Sequence, residues 1–386
     1  MASTSPVPAG LYIHVPFCLA KCPYCDFYSI ADSRRIPGYV DALLTELDMC
    51  RQAVPIADTI YFGGGTPSLL TPDQVENILE RIHASFFVAV DTEITLEVNP
   101  GTVDKARLAG YRNAGVNRLN IGLQSFQNET LAFLGRIHTA EQAIDTYQWA
   151  RQAGFDNVGL DLIYGVPGQT RSRWESELAQ VVALRPDHLS CYTLTVEAGT
   201  PMALKIGAGQ IDPPDDDTAG ELFSATIKYL NQNGFAQYEI SNFARRDAGD
   251  PTDRRSRHNR KYWTFAPYLG FGPASHSFLD DTRWWNHRSI DDYLADLKAG
   301  KRPLAGTETL ARDQQIMEFV YLGLRQTDGI DTVDFESRFK ADFSDRFEPE
   351  VTRLVNEGLV EKVSGRIWLT ARGMRFLESV VDRLLS

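Results

Sequence analysis

Six apolar runs rich in β-branched and aromatic residues occupy the first half of the chain, and a helical pattern follows each of the first five. The runs lie at residues 11–15, 59–62, 94–98, 118–122, 158–163 and 188–193; the helical patterns lie at 39–53, 74–86, 105–114, 141–153 and 173–184. Strands separated by helices of this length form βαβ units on a parallel sheet. Six strands are too few to close an eight-stranded barrel, so the count fits an α/β fold with an open, partial (β/α)6 barrel. Ligands in parallel α/β folds sit at the carboxyl ends of the strands. A cysteine-rich loop follows the first run, and Gly63, Gly64, Gly65 and Thr66 follow the second. Glu97 and Asn99 end the third, Gln124 follows the fourth, and Asp161 lies near the end of the fifth. Five such placements in register predict one shared site at that rim.

The cysteine loop reads LYIHVPFCLAKCPYCDFYS, with Cys18, Cys22 and Cys25 in a Cys-x3-Cys-x2-Cys spacing. Three thiolates are one short of the four that usually hold a 4Fe–4S cluster. A cluster held this way leaves one iron open to an exchangeable ligand, and open positions are what metal chemistry needs. Half of a zinc site, completed by His14 or another histidine, is the alternative on spacing alone. The second, distant pair that zinc sites use is missing, because Cys50 and Cys191 are single and far apart. Five cysteines in 386 residues are too sparse for a disulfide scaffold.

Apolar residues make up 43% of the chain, enough for one large core and a smaller second one. A formal charge of −12 argues against binding nucleic acid or an anionic membrane through a global field. The chain has no apolar stretch long enough to span a bilayer, and its start, MASTSPVPAG, lacks a signal region. The expected location is the cytoplasm, which suits reduced thiols. Beyond a core at residues 1–196, a second section at 197–306 carries a helix at 220–233 and a short strand at 238–240. Its segment 244–257, ARRDAGDPTDRRSR, is almost free of apolar residues and reads as a mobile, solvated loop. The third section, 307–386, has helical patterns at 314–325 and 347–357, short strands at 358–360 and 366–369, and a final helix at 370–386. Helices followed by a two-stranded ribbon resemble a winged helix; without concentrated basic surface it reads as a packing or partner module.

Cys-x3-Cys-x2-Cys with Tyr24 just before the last cysteine resembles the radical S-adenosylmethionine (SAM) superfamily. The longer string YIHVPFC…CPYCDFYS resembles its branch of oxygen-independent coproporphyrinogen III oxidases and HemW heme chaperones. The resemblance implies a 4Fe–4S cluster on Cys18, Cys22 and Cys25, with SAM on the open iron. It also implies that a reduced cluster can pass one electron into the sulfonium and release a 5′-deoxyadenosyl radical. Gly64, Gly65 and Thr66, within GGGTPS, match the family's glycine motif near the SAM amino group. Glu97, Gln124, Arg136 and Asp161 match positions around the SAM ribose and carboxylate, and Tyr12 matches a further contact. The residue types suit these roles, since carboxylates and amides accept from hydroxyls and arginine pairs with carboxylate.

Two departures separate the relatives. The oxidase carries a fourth cysteine two residues after the third, where this chain has Phe27, and a longer segment before the first; here 17 residues precede Cys18. The run His258–Asn259–Arg260–Lys261–Tyr262–Trp263 resembles the heme-binding signature of the chaperones. It implies His258 as the iron ligand, with His276 as the second choice. A neutral imidazole is a common axial ligand and aromatic neighbours suit a porphyrin face. The implied function is that of a heme carrier serving an acceptor hemoprotein, with flavodoxin or ferredoxin as a candidate electron donor. Nucleic acid is not expected, and membrane contact only through the acceptor. The rival readings are enzymes: the coproporphyrinogen oxidase itself, or a radical SAM enzyme on another substrate.

Overall fold

The computed structural model describes residues 7–213 and 215–386; residues 1–6 of the polar start lie outside the described residues. Six parallel strands follow the expected order: β1 (Ala9–Val15), β2 (Ala57–Gly64), β3 (Val88–Val98), β4 (Arg118–Gln124), β5 (Asn157–Tyr164) and β6 (His188–Thr193). Each pairs in parallel with the next. The helices between them are α1 (Ile36–Met49), α2 (Pro72–Ser85), α3 (Lys105–Asn113), α4 (Asn128–Phe133), α5 (Ala140–Gln152) and α6 (Arg171–Leu184). Local signals fix their starts. Thr71 with Gln74 and Thr139 with Gln142 form capping boxes ahead of α2 and α5, each satisfying two otherwise orphaned backbone donors.

Side chains alternate across the sheet, as the two-residue period of a strand requires. On β4, Leu119, Ile121 and Leu123 are fully buried beneath the helices, while Arg118, Asn120, Gly122 and Gln124 line the barrel interior. The inner face is therefore polar, and the site follows from that.

The middle section adds strands to both flanks of this sheet instead of building its own. Helices α7 (Pro201–Gly207) and α8 (Asp216–Gln232) lead to β7 (Phe235–Gln237) and β8 (Asn242–Arg245) beside β6. Helix α9 (Arg257–Trp263) then leads to β9 (Tyr268–Phe271), β10 (His276–Leu279) and β11 (Thr282–Asn286); α10 (Ile290–Lys298) and β12 (Leu304–Thr309) complete the other flank. The sheet has twelve strands in the order β12-β11-β10-β9-β1-β2-β3-β4-β5-β6-β8-β7, and β12 spans the boundary expected at 306/307. The strand expected at 238–240 is instead the turn between β7 and β8.

The segment 244–257 is exposed over much of its middle, as expected, but ion pairs hold it in place. Asp187, 1% exposed, receives Arg151, Arg245 and Arg254 at 2.7, 3.0 and 3.1 Å. Arg255 pairs with Asp253, and Arg257 with Asp58 and Asp91. Charge pairing anchors a segment that has few apolar residues to bury.

The last section contains α11 (Arg312–Arg325), β13 (Ile330–Asp331), α12 (Thr332–Phe339), α13 (Phe343–Asn356), β14 (Val360–Val363) and β15 (Arg366–Leu369). Three strands in the order β13-β15-β14 complete the winged-helix-like arrangement. The final helix is broken into α14 (Ala371–Met374) and α15 (Leu377–Leu385). No described helix is long and apolar enough to cross a membrane.

Candidate functional site

A cavity of about 740 Å³ opens at the carboxyl ends of the six parallel strands, within the range of small-molecule sites. Its wall includes Tyr24, Cys25, Gly64, Gly65, Thr66, Glu97, Gln124, Arg136 and Asp161, so nine of the expected residues meet in one place. Cys18 and Cys22 lie beside it. Thr66 Oγ1 is 3.5 Å from Cys18 Sγ, and Arg136 Nη1 is 3.7 Å from Cys22 Sγ. A hydroxyl and a guanidinium thus point donors at two of the three sulfurs. Burial pushes the Cys25 thiol pKa up, with the other two cysteines adding to the rise. Among the described residues no three His, Cys, Asp or Glu side chains converge as ligands of one metal ion would.

The glycine turn lets this loop sit close. A Cβ on Gly65 would lie 2.7 Å from the Phe17 carbonyl oxygen and 3.0 Å from the Phe17 nitrogen. Gly64 has φ of +107°, and a Cβ there would lie 2.7 Å from the His14 ring. His14 is hydrogen-bonded to Tyr12 and to the Tyr28 carbonyl, tethering the far end of the cysteine loop to β1. Tyr12 itself stands behind the cavity wall, stacked on Tyr61 at 6.2 Å.

Several buried polar atoms here have no partner among the described residues: Asn120 Oδ1, Gln124 Oε1, Arg136 Nε and Asp161 Oδ1, with Arg118 Nε and His188 Nδ1 deeper in the barrel. Buried polar groups in folded proteins are normally satisfied, so these fit a polar ligand with hydroxyl, amine and carboxylate groups. Gln124 also adopts φ of +68°, a strained conformation for glutamine that concentrates at functional sites. Burial pushes the Glu97 pKa up to about 7, against the hydrogen bond that Tyr61 donates to it at 2.7 Å. Burial likewise raises the Asp161 pKa, opposed by Ser190 and Asn120.

Tyr61, Arg118, Asn120, His188 and Asn259 also line the cavity and are absent from the expected set. The alternation of RLNIGLQ on β4 carried the signal for Arg118 and Asn120; Asn259 carried none, because α9 reaches the cavity only through the tertiary fold.

The sequence model of the radical SAM superfamily matches residues 12–180, and that of the HemN C-terminal domain matches residues 310–376. The heme chaperone HemW of Lactococcus lactis is 32% identical over 379 residues, covering 98% of this chain and 97% of its own. HemW of Mycobacterium tuberculosis is 35% identical over 384 residues, covering 98% and 95%. The chain belongs to the HemW family. Among solved structures, the coproporphyrinogen III oxidase HemN of Escherichia coli, a radical SAM enzyme, superposes with a TM-score of 0.83 at 26% identity, over 100% of this chain and 92% of its own.

The two histidines singled out within this HemW-family chain differ in availability. His258 is 1% exposed. Its Nδ1 is hydrogen-bonded to Thr59 at 2.8 Å and its Nε2 to Tyr262 at 2.9 Å. Burial lowers its pKa to about 3, so the ring is neutral. No ring nitrogen is open for iron in this conformation. His276 is exposed on β10 and stacked on Trp285 at 5.9 Å and 26°. No hydrogen bond engages its ring among the described residues.

Proposed function

We propose that this chain is a heme carrier that delivers heme to an acceptor hemoprotein and holds a 4Fe–4S cluster with exchangeable SAM. The observation that carries the reading is similarity to heme chaperones along essentially the whole chain. Phe27, 63% exposed at the cavity mouth, supports it against the oxidase, whose fourth cysteine falls there.

Cys18, Cys22 and Cys25 would hold the cluster, and the Gly64–Thr66 turn with Glu97, Gln124, Arg136 and Asp161 would hold SAM. When bound, the pair supplies one-electron chemistry at a sulfonium. The chain's own residues do the rest. Thr66 and Arg136 donate toward the thiolates. Gln124 Oε1 and Asp161 Oδ1 are free to accept from hydroxyls. An ionised Glu97 favours a cationic ligand. The proposed setting is the cytoplasm, with a flavodoxin- or ferredoxin-type donor reducing the cluster.

An imidazole that meets heme iron must offer a free nitrogen. His258 does so only if the hydrogen bond to Thr59 or to Tyr262 opens; His276 does so as it stands. The test is an anaerobic heme titration of reconstituted protein, followed at the Soret band, with His258→Ala and His276→Ala beside it, then transfer to an apo-hemoprotein. Saturable binding near one heme per chain supports the carrier. Loss in one variant alone identifies the ligand. No saturable binding overturns the reading, and protoporphyrinogen formation from coproporphyrinogen III with SAM and reductant would establish the oxidase instead.

A further inference from the structure

Within the HNRKYW motif on α9, His258 is buried behind the cavity and Asn259 lines it. The His258 ring stacks on Tyr61 with centroids 5.1 Å apart and planes 27° apart. Tyr12 lies on Tyr61 as well, at 6.2 Å and 29°. Tyr61 is thereby held by two rings, and its hydroxyl donates to Glu97 Oε1 at 2.7 Å on the cavity wall. The strand makes room for this stack at Gly63, where a Cβ would lie 2.9 Å from the rings of both Tyr12 and Tyr61. Gly10 does the same on β1, where a Cβ would lie 3.0 Å from the His258 ring.

His258 is itself fixed from several sides. Its two ring nitrogens are tied to β2 through Thr59 and to α9 through Tyr262. Its backbone nitrogen donates to Glu93 on β3 at 3.1 Å. A ring immobilised this thoroughly and neutral can act as a wall for another ring without placing a charge beside Glu97.

We infer that His258 is a positioning residue for the cofactor cavity: by stacking on Tyr61 it holds the phenol that orients Glu97 toward SAM. This rests on the proposed SAM site. It gives the aromatic motif a role in the cavity that needs no contact between His258 and iron. The ring, not its nitrogens, does the positioning, so phenylalanine at 258 should largely replace histidine and alanine should not.

The experiment measures the SAM dissociation constant by equilibrium dialysis on anaerobically reconstituted full-length protein. The variants are His258→Ala, His258→Phe and Tyr61→Phe, with thermal unfolding recorded for each. Tyr61→Phe removes the hydrogen bond to Glu97 and should weaken SAM roughly 3- to 10-fold. His258→Ala should weaken it to a similar degree, and His258→Phe by less than about 2-fold. Both His258 variants leave Thr59 and Tyr262 without a partner, so both should unfold at lower temperature. Separation of SAM affinity from melting temperature therefore distinguishes positioning from general stability. Equal losses of SAM affinity in the Ala and Phe variants, or affinity that tracks melting temperature, would overturn the inference while leaving the SAM site intact. Absence of saturable SAM binding by the unaltered protein would overturn the reading beneath it.

Discussion

Asp187→Ala should loosen the segment that leads into α9. The carboxylate is 1% exposed and receives three guanidinium groups, from Arg151 on α5, Arg245 on β8 and Arg254 in the segment itself. It also accepts from the Val158 backbone nitrogen at 2.9 Å. Removing one partner of a buried charge set costs about 3–5 kcal/mol. The arginines here retain some exposure, 28%, 16% and 13%, and can recover part of their hydration, so the lower end, about 3 kcal/mol, is expected. If that cost falls on local opening, amide hydrogen exchange over residues 246–257 should quicken about 100-fold. Asp253→Asn is the control. That carboxylate is half-exposed and pairs with Arg255 and Arg260, so its loss should cost under about 1 kcal/mol. Exchange in Asp187→Ala indistinguishable from the unaltered protein would refute the argument that charge pairing at Asp187 anchors this segment.

Other outcomes follow from the same contacts. Gly65→Ala places a methyl against Phe17 backbone atoms that cannot rotate away; the cysteine loop should shift, and iron content after reconstitution should fall well below that of the unaltered protein. Cys22→Ala should lose the visible absorption of the cluster, and retention of a full complement of iron and sulfide would remove the assigned ligand set. Glu97 has a folded pKa of about 7 against an ordinary 4.5. Between those values the folded chain keeps a proton that the unfolded chain has released. The stabilisation this gives is present below about pH 4.5 and lost as pH rises through 7, by at most ~3 kcal/mol. Glu97→Gln should flatten that limb of the urea-unfolding profile. His258 works in the opposite sense. Its folded pKa of about 3 lies below the ordinary 6.5, so its contribution is complete above pH 6.5 and is lost as pH falls through 3.

The chain's own pattern determined a good deal. Apolar runs of strand length alternating with helices fixed six parallel strands, and the position of the cysteines after the first strand put them at the ligand-binding rim. These signals are local, because strand period, caps and glycine turns act over a few residues. The grouping of Glu97, Gln124 and Asp161 around one cavity was legible for the same reason: each sits near the carboxyl end of a strand that the fold must bring together; Arg136, in the connection between α4 and α5, was found only through the family resemblance. Only the tertiary structure decided the rest. Segment 244–257 is exposed over much of its middle, as its composition implies, but the ion pairs that hold it to Asp187, some sixty residues away in sequence, were not legible. That His258 is buried and hydrogen-bonded at both ring nitrogens could not be read from its motif, because a motif does not reveal which way its helix faces. Whether a polar side chain meets solvent, a cavity or a distant opposite charge depends on non-local packing, and no window along the chain contains that information.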